Sequence, residues 1–255
     1  IEAHLDKVRT VALPLALAYD PETVNDHVAR SVDSTPCVFP RNVFDKSTGY
    51  VRGRYADGSW IEPFNPNSKA SFICEGTPFQ YTWYVPHDVQ GLIRLMGGKK
   101  TFLSKLDEFF EDGHYWHGNE TDQQAPFMYA MAGERTKTEI LTHRINEEEY
   151  GTGPGGLSGN EDAGQMSAWL VFSMIGFYPV CPGSGEYVIT SPAFEEISIE
   201  LPDGRHFITE SRGMGKNNFT IKSSCLNGRR LKGSTISHRA IMAGSTLIHT
   251  ISDEP

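Results

Sequence analysis

No run of apolar residues in this sequence approaches the roughly 18 to 20 needed to cross a bilayer. The start of the chain also lacks the charged segment, apolar core and small-residue cleavage site of a targeting signal, so neither an anchor nor an address is legible. Cysteine is scarce: Cys37, Cys74, Cys181 and Cys225 stand far apart with no CxxC pair, which leaves zinc knuckles and thioredoxin-type redox sites without support. Buried free thiols and one disulfide both remain open readings of these four residues. Basic clusters are missing too. With a formal net charge of -9 and lysines and arginines grouped only in pairs such as Lys99-Lys100 and Arg229-Arg230, the chain lacks the electrostatic footprint of a nucleic-acid binder. There is no GK[ST] phosphate loop, no GxSxG elbow and no HExxH. The run Gly151-Thr152-Gly153-Pro154-Gly155-Gly156 formally matches GxGxxG, but a helical pattern precedes it and further glycine follows, so the strand-turn-helix context of a dinucleotide site is absent.

What is present is ordinary globular material, 255 residues at 38% hydrophobic and 22% charged, enough for one large or two modest cores. The chain begins at Ile1, not Met, already inside an amphipathic pattern (Leu5, Val8, Val11, Leu15), as a fragment or processed product would. Helical spacing dominates from about residue 22 to 176, and is clearest at Phe102, Leu103, Leu106, Phe109 and Phe110. Further helices are expected at 22–33, 87–97, 123–133, 135–147 and 163–176. Between them lie loops rich in glycine, proline and aromatic residues at 48–66, 74–86, 112–122 and 150–162. After Pro179 the pattern turns to short β runs (Tyr187 to Thr190, Ile197 to Leu201, Phe207 to Ile208, Phe219 to Ile221, Thr246 to Ile251), with turn pairs at Asp203-Gly204 and Asn227-Gly228. The expected fold class is therefore mainly α with a small antiparallel β region at the C-terminal end, divided near residue 180 into a helical portion (1–180) and a β-rich portion (181–255).

Three acidic residues sit in loops dense with glycine, aromatic and amide side chains: Glu75, Glu120 and Asp162. Such a setting suits glycoside hydrolysis, in which one protonated carboxyl serves the leaving oxygen and one carboxylate activates water. Neighbouring aromatic rings (Tyr81, Trp83, Tyr84, Tyr115, Trp116) could stack on sugar faces and exclude water, or could equally be core. Amide-rich loops supply hard oxygen ligands of the kind calcium takes. Plainer readings compete with each of these. Asp162 or Asn160 could cap the helix expected near Ala163, Glu75 could accept hydrogen bonds in a turn, and His114 or His117 could be ordinary histidines. Asn119-Glu120-Thr121 and Asn218-Phe219-Thr220 also match the glycosylation sequon, and a glycan on Asn119 would obstruct such a site.

The segments EGTPFQYTWYVPHDVQGLIRLMGG (75–98), HGNE (117–120) and GLSGNEDAGQMSAWLVFSMIGFYPVCPG (156–183) closely resemble signature blocks of glycoside hydrolase family 92, with a weaker block at GYVRGRYADGSWIEPFNP (49–66). The resemblance implies part of a six-hairpin (α/α)6 barrel, in the family preceded by a β-sandwich that this chain does not contain, and an active site where the two meet. It implies an exo-acting, inverting α-mannosidase that uses Ca2+, secreted or periplasmic, acting on mannose-containing glycans of the N-glycan or mannan type. The absent N-terminal domain, or another chain, becomes an expected partner. By position the resemblance casts Glu75 as general acid, Asp162 as general base and Asn160 where many members carry a second Asp. It assigns Asn119 and Glu120, with Gln80, to calcium, and Trp83, His117, Gly118, Gln123 and Gln124 to substrate contact. The chain departs from the pattern after Glu120, where Thr121, Asp122, Gln123 and Gln124 replace the usual Pro and His residues. Gly118, moreover, stands where some α-1,2-specific members have Glu.

Overall fold

A computed structural model describes residues 42–252 apart from 56, 216 and 217. The amphipathic start of the chain and the helix expected at 22–33 lie outside the described residues.

A short hairpin, β1 (Phe44–Asp45) and β2 (Tyr50–Val51), precedes the helices α1 (Pro78–Thr82), α2 (Val89–Leu95), α3 (Lys99–Glu111), α4 (Ala125–Met131), α5 (Arg135–Glu148) and α6 (Gln165–Ile175). Most helices fall where apolar spacing places them. In α3 the fully buried residues are Phe102, Leu106 and Phe109, one stripe at i, i+4 and i+7. Ahead of α2, two features escape periodicity. The hairpin, whose second strand falls within the loop expected at 48–66, is held by a buried ion pair, Arg52 Nη1 to Asp45 Oδ2 at 3.0 Å. Helix α1 sits inside the loop expected at 74–86 because Thr77 and Gln80 form a reciprocal capping box with Pro78 in the first turn, which stabilises a helix too short to show a period.

Helices α4 and α5, joined by residues 132–134, pack as an antiparallel hairpin in which the Thr138 hydroxyl donates to the Pro126 carbonyl at 2.7 Å and accepts from the Ala130 amide at 2.9 Å. One core gathers Phe79, Trp83, Phe102 and Phe109, all at 0% exposure. Another joins Phe127, Ile145 and Trp169 to Tyr178, Val180 and Val188, so helices and the first strands share a core across residue 180.

The remainder is β3 (Phe177–Tyr178), β4 (Glu186–Ile189), β5 (Glu196–Glu200), β6 (His206–Arg212), β7 (Ile221–Leu226), β8 (Arg229–Arg230), β9 (Thr235–Ser237), helix α7 (His238–Met242) and β10 (Thr246–Ile251). The strand order is β5-β6-β10-β7-β8 in a five-stranded sheet and β3-β4-β9 in a three-stranded one. Here the expectation of an antiparallel region needs correction. β10 runs parallel to β6, from Thr246 opposite Ile208 to Thr250 opposite Arg212, and antiparallel to β7. The chain crosses from β6 through β7, β8, β9 and α7 before β10 inserts between β6 and β7, a connection that short-range turn signals do not reveal. The turn pairs do hold: Asn227 and Gly228 adopt φ of 48° and 75° between β7 and β8, as a tight hairpin turn requires.

Candidate active site

Each of the three acidic residues is set by a different loop. Glu75 precedes Gly76, whose φ of 70° belongs to the left-handed region, and a Cβ at Gly76 would strike Gln80 Oε1 and stand 3.6 Å from Asn119 Nδ2. The Glu75 loop therefore rests directly on α1 and on Asn119. Glu75 itself is exposed, and the Tyr81 phenol bonds to its backbone; that phenol is raised above its ordinary pKa, chiefly by burial.

The second loop, 112–124, is anchored from below. His117 is fully buried, with Nδ1 2.6 Å from the Tyr115 hydroxyl and Nε2 2.6 Å from the Tyr150 hydroxyl, and burial lowers its pKa to about 3, so the ring is neutral. Asp122, also fully buried, accepts from the Trp116 amide at 2.9 Å, from Gln80 Nε2 at 3.2 Å and from the Thr121 hydroxyl. Burial pushes its carboxyl up to about 7 against the pull of those donors. Above this base Asn119 is 3% exposed and Glu120 is partly buried, and Asn119 Nδ2 and Glu120 Oε1 are both buried without a hydrogen-bond partner.

The third loop closes against the second through glycine. A Cβ on Gly118 would lie 2.8 Å from Gly159 Cα and 2.8 Å from the Ser158 carbonyl, so HGNE and GLSGNEDAG meet backbone to backbone. Asp162, Ala163 and Gly164 follow with φ of 43°, 57° and 89°, a left-handed run that is costly for the first two. The capping reading of Asp162 and Asn160 is not what the structure adopts. The N-cap of α6 is Gly164, with no side-chain capping bond, and Glu161 takes that task by accepting from the Ser167 amide at 3.0 Å and hydroxyl at 2.8 Å. Asp162 and Asn160 stay exposed.

The loops converge on one point. The Asp162 carboxyl comes within hydrogen-bonding reach of Glu120, and the Glu120 carboxyl is raised above its ordinary range by burial first, then by Asp162 and Glu75. Several residues assigned to contacts instead support the loops. Trp83 is at 0% exposure, edge-on to Phe102 in the core, with no face open to a sugar. Gln123 is held by His117, Gln165 and the Trp169 indole, and Gln124 Nε2 donates to the Trp83 and Thr121 carbonyls; both side chains are buried. Gln80 accepts from the Thr77 amide and donates to Asp122 and the His114 carbonyl, so its amide is engaged at both ends. Asn119 is too buried to accept a glycan in this fold. Asp122, Tyr150 and Gln165 are supports that sequence reasoning did not single out, because each acts through a partner distant in the chain; Glu161, also missed, acts on nearby Ser167. The aromatic side chains that do reach the surface near these loops are Tyr84 at 50% and Trp116 at 51% exposure.

The donor set fits a hard cation in part. Glu120 and Asn119 offer oxygen chemistry at buried, unpartnered positions, and an amide can present its carbonyl by a flip. Among the described residues no group of three or more His, Cys, Asp or Glu stands at metal-holding spacing, so Asn119 and Glu120 form only part of a ligand set. The GxGxxG run forms no phosphate cradle: the Gly151 amide donates to the Gly156 carbonyl, and Tyr150 bridges to Leu157.

Residues 39–253 match the family model described as the glycosyl hydrolase family 92 catalytic domain. Among curated proteins, an uncharacterized secreted glycosidase of Arthroderma benhamiae is 30% identical over 226 residues, 82% of this chain and 29% of its own. Among solved structures, the family GH92 α-mannosidase BT3965 of Bacteroides thetaiotaomicron superposes with a TM-score of 0.79 at 38% identity, covering 84% of this chain and 30% of that one. The same enzyme in complex with mannoimidazole gives 0.79 at 35%, covering 84% and 31%. The inverting mannosidase BT2199 of the same organism gives 0.79 at 30%, covering 84% and 32%. This chain thus spans about 30% of the length of the relatives it matches.

Proposed function

Because the chain belongs to glycosyl hydrolase family 92, we propose that it is the portion of an exo-acting α-mannosidase that carries the acid and the base for hydrolysis with inversion. The observation that carries this reading is the convergence of the Glu75, Glu120 and Asp162 loops, with Asp162 relieved of helix capping by Glu161. In the proposed step Glu75 gives its proton to the glycosidic oxygen as the bond to the anomeric carbon breaks. Asp162 takes a proton from a water that attacks that carbon from the opposite face, releasing β-mannose. The left-handed backbone at Asp162 and the tether of α6 by Glu161 leave the Asp162 carboxylate out of the α6 cap, which supports its use as the base. Asn160 stands two residues away, where an amide can orient the same water without adding charge.

Three converging carboxyls repel one another, and positive charge among them offsets that cost. Asn119 and Glu120 would hold a calcium ion, which when bound supplies that charge beside the sugar's vicinal hydroxyl oxygens. Trp116 and Tyr84, the exposed rings, are better placed than Trp83 to meet sugar faces. The proposed substrates are mannose-terminated glycans of the N-glycan or mannan type. The proposed whole is a barrel of paired helices larger than this chain, which covers about 30% of its relatives, with residues 1–180 as its helical and 181–255 as its β-rich part, in a secreted or periplasmic enzyme.

The test is release of mannose from mixed α-linked mannobioses, with calcium and with chelator, the anomer being followed by NMR. Calcium-dependent release of β-mannose is expected, and Asp162→Ala should lower kcat by about 10³-fold or more with little change in melting temperature. Unaltered turnover in Asp162→Ala removes it from the mechanism. A second reading, a carbohydrate-binding fragment with no turnover of its own, draws on the chain's spanning 30% of its relatives' length. Mannose binding by this chain with hydrolysis only in the longer protein would favour it.

A further inference from the structure

Asp122 is neither acid, base nor metal ligand in the reading above, yet its carboxyl ties the second loop to the helix that follows Glu75. It sits at 0% exposure, two residues after Glu120. Its Oδ2 accepts from the Trp116 amide at 2.9 Å, which holds the approach to Asn119 and Glu120, and from Gln80 Nε2 at 3.2 Å, which belongs to the helix that follows Glu75. Gln80 in turn accepts through Oε1 from the Thr77 amide at 2.9 Å and donates to the His114 carbonyl at 3.3 Å. Oε1 of the same side chain is the atom that a Cβ on Gly76 would strike. A continuous set of bonds therefore runs from the backbone beside Glu75, through Gln80 and Asp122, to the backbone beside Glu120. Each loop lacks regular secondary structure around its acidic residue, so side-chain bonds such as this strap, with Gln124 bridging the Trp83 and Thr121 carbonyls further on, set the distance between them.

We propose that Asp122 is a positioning residue for the reaction, acting through Gln80 and the Trp116 amide to hold the Glu75 loop at a set separation from the Glu120 loop; this rests on the reading of Glu75 and Glu120 given above. It touches no reacting atom. An acceptor oxygen at Oδ2 is the chemical requirement, and an asparagine supplies one, leaving its amide nitrogen to face the Thr121 hydroxyl.

The experiment uses the full-length protein and compares Asp122→Ala, Asp122→Asn and Gln80→Glu with the parent. Gln80→Glu keeps the oxygen that caps Thr77 but turns the donor facing Asp122 into an acceptor, so it breaks the strap without deleting the helix cap. Because a loop displaced by about 1 Å costs about 100-fold in rate, kcat on an α-mannobiose should fall about 100-fold in Asp122→Ala and about 10-fold or more in Gln80→Glu. KM should change by less than about 3-fold in each, and Asp122→Asn should stay within about 5-fold of the parent. In parallel, amide hydrogen exchange of peptides covering 74–83 and 113–122 should rise together in Asp122→Ala and in Gln80→Glu. If Asp122→Ala lowers only the melting temperature and not kcat, or if Asp122→Asn is as damaging as Asp122→Ala, the positioning role is overturned. Loosening of one loop alone overturns it as well, and that readout needs no turnover. Should Asp122→Ala not fold, Gln80→Glu decides the matter by the same two measurements. Linked exchange in a protein that releases no mannose would instead overturn the hydrolytic reading and leave the strap standing.

Discussion

At the scale of single residues, the absence of a side chain matters as much as the presence of a carboxylate. Gly118 and Gly159 let two backbones touch, and through that contact the loop bearing Glu120 reaches the loop bearing Asp162. Gly118→Ala must push Gly159 away, because its Cβ would meet Gly159 Cα and the Ser158 carbonyl oxygen, both backbone, at 2.8 Å as well as the Trp116 side chain. The expected cost is about 1–3 kcal/mol in a denaturant melt, with a loss of turnover larger than the stability change alone explains. A Gly118→Ala protein of parental stability and activity would show that the loops do not depend on this contact. The same crowding bears on the idea of a longer residue at 118: the backbone of 158–159 fills the space it would need.

At the scale of elements, helix and sheet are joined by charge as well as by apolar packing. Glu139 on α5, at 0% exposure, accepts from Arg135 Nε at 2.8 Å and from the Ile221 amide at 3.0 Å, while Arg135 Nη2 donates to the Ile221 carbonyl at 2.5 Å. Both backbone groups that open β7 are thereby satisfied by one ion pair. Burial raises the Glu139 carboxyl and Arg135 opposes that shift, as expected of a pair whose desolvation is offset by its bonds. Removing one partner strands the other, so Glu139→Ala should cost about 3–5 kcal/mol in equilibrium unfolding, far more than a surface pair. A loss below about 1 kcal/mol would mean that the clamp contributes little beyond an exposed ion pair.

At the scale of the whole molecule, buried titratable groups act in opposite directions on stability. His117 and His249 are held neutral by burial, with pKa values lowered from 6.5 to about 3 and to about 4, and Arg135 adds to the effect at His249. Between pH 6.5 and about 4 the unfolded chain binds protons at these rings that the native chain refuses, so their contribution falls on acidification. Asp122 runs the other way. Its folded pKa, raised from 3.8 to about 7, makes the native state the tighter proton binder in that window, and its contribution is lost as pH rises through 7. The two partly cancel in the parent, so the informative quantity is the difference from His249→Asn. The melting temperature of the parent relative to that variant should shrink as pH is lowered from 6.5 to 4, by the equivalent of about 3 kcal/mol. A difference constant across the window would mean that the ring is not held neutral. As for legibility, hydrophobic periodicity and turn pairs were enough to place α2 to α6, the strands β4, β5, β6 and β10 and the Asn227-Gly228 hairpin, because those signals are local. The acidic residues of the proposed site also stand out in the sequence, since loops rich in glycine, aromatic and amide side chains bracket Glu75, Glu120 and Asp162. Their neighbours do not. Whether Gln80 and Trp83 face a ligand or the interior and whether β10 pairs parallel to β6 depend on groups tens of residues away, and whether Asp162 or Glu161 tethers α6 depends on the left-handed backbone that the chain takes at 162–164. Only the packed chain decides them, because a buried polar atom takes whichever partner the fold brings within about 3 Å.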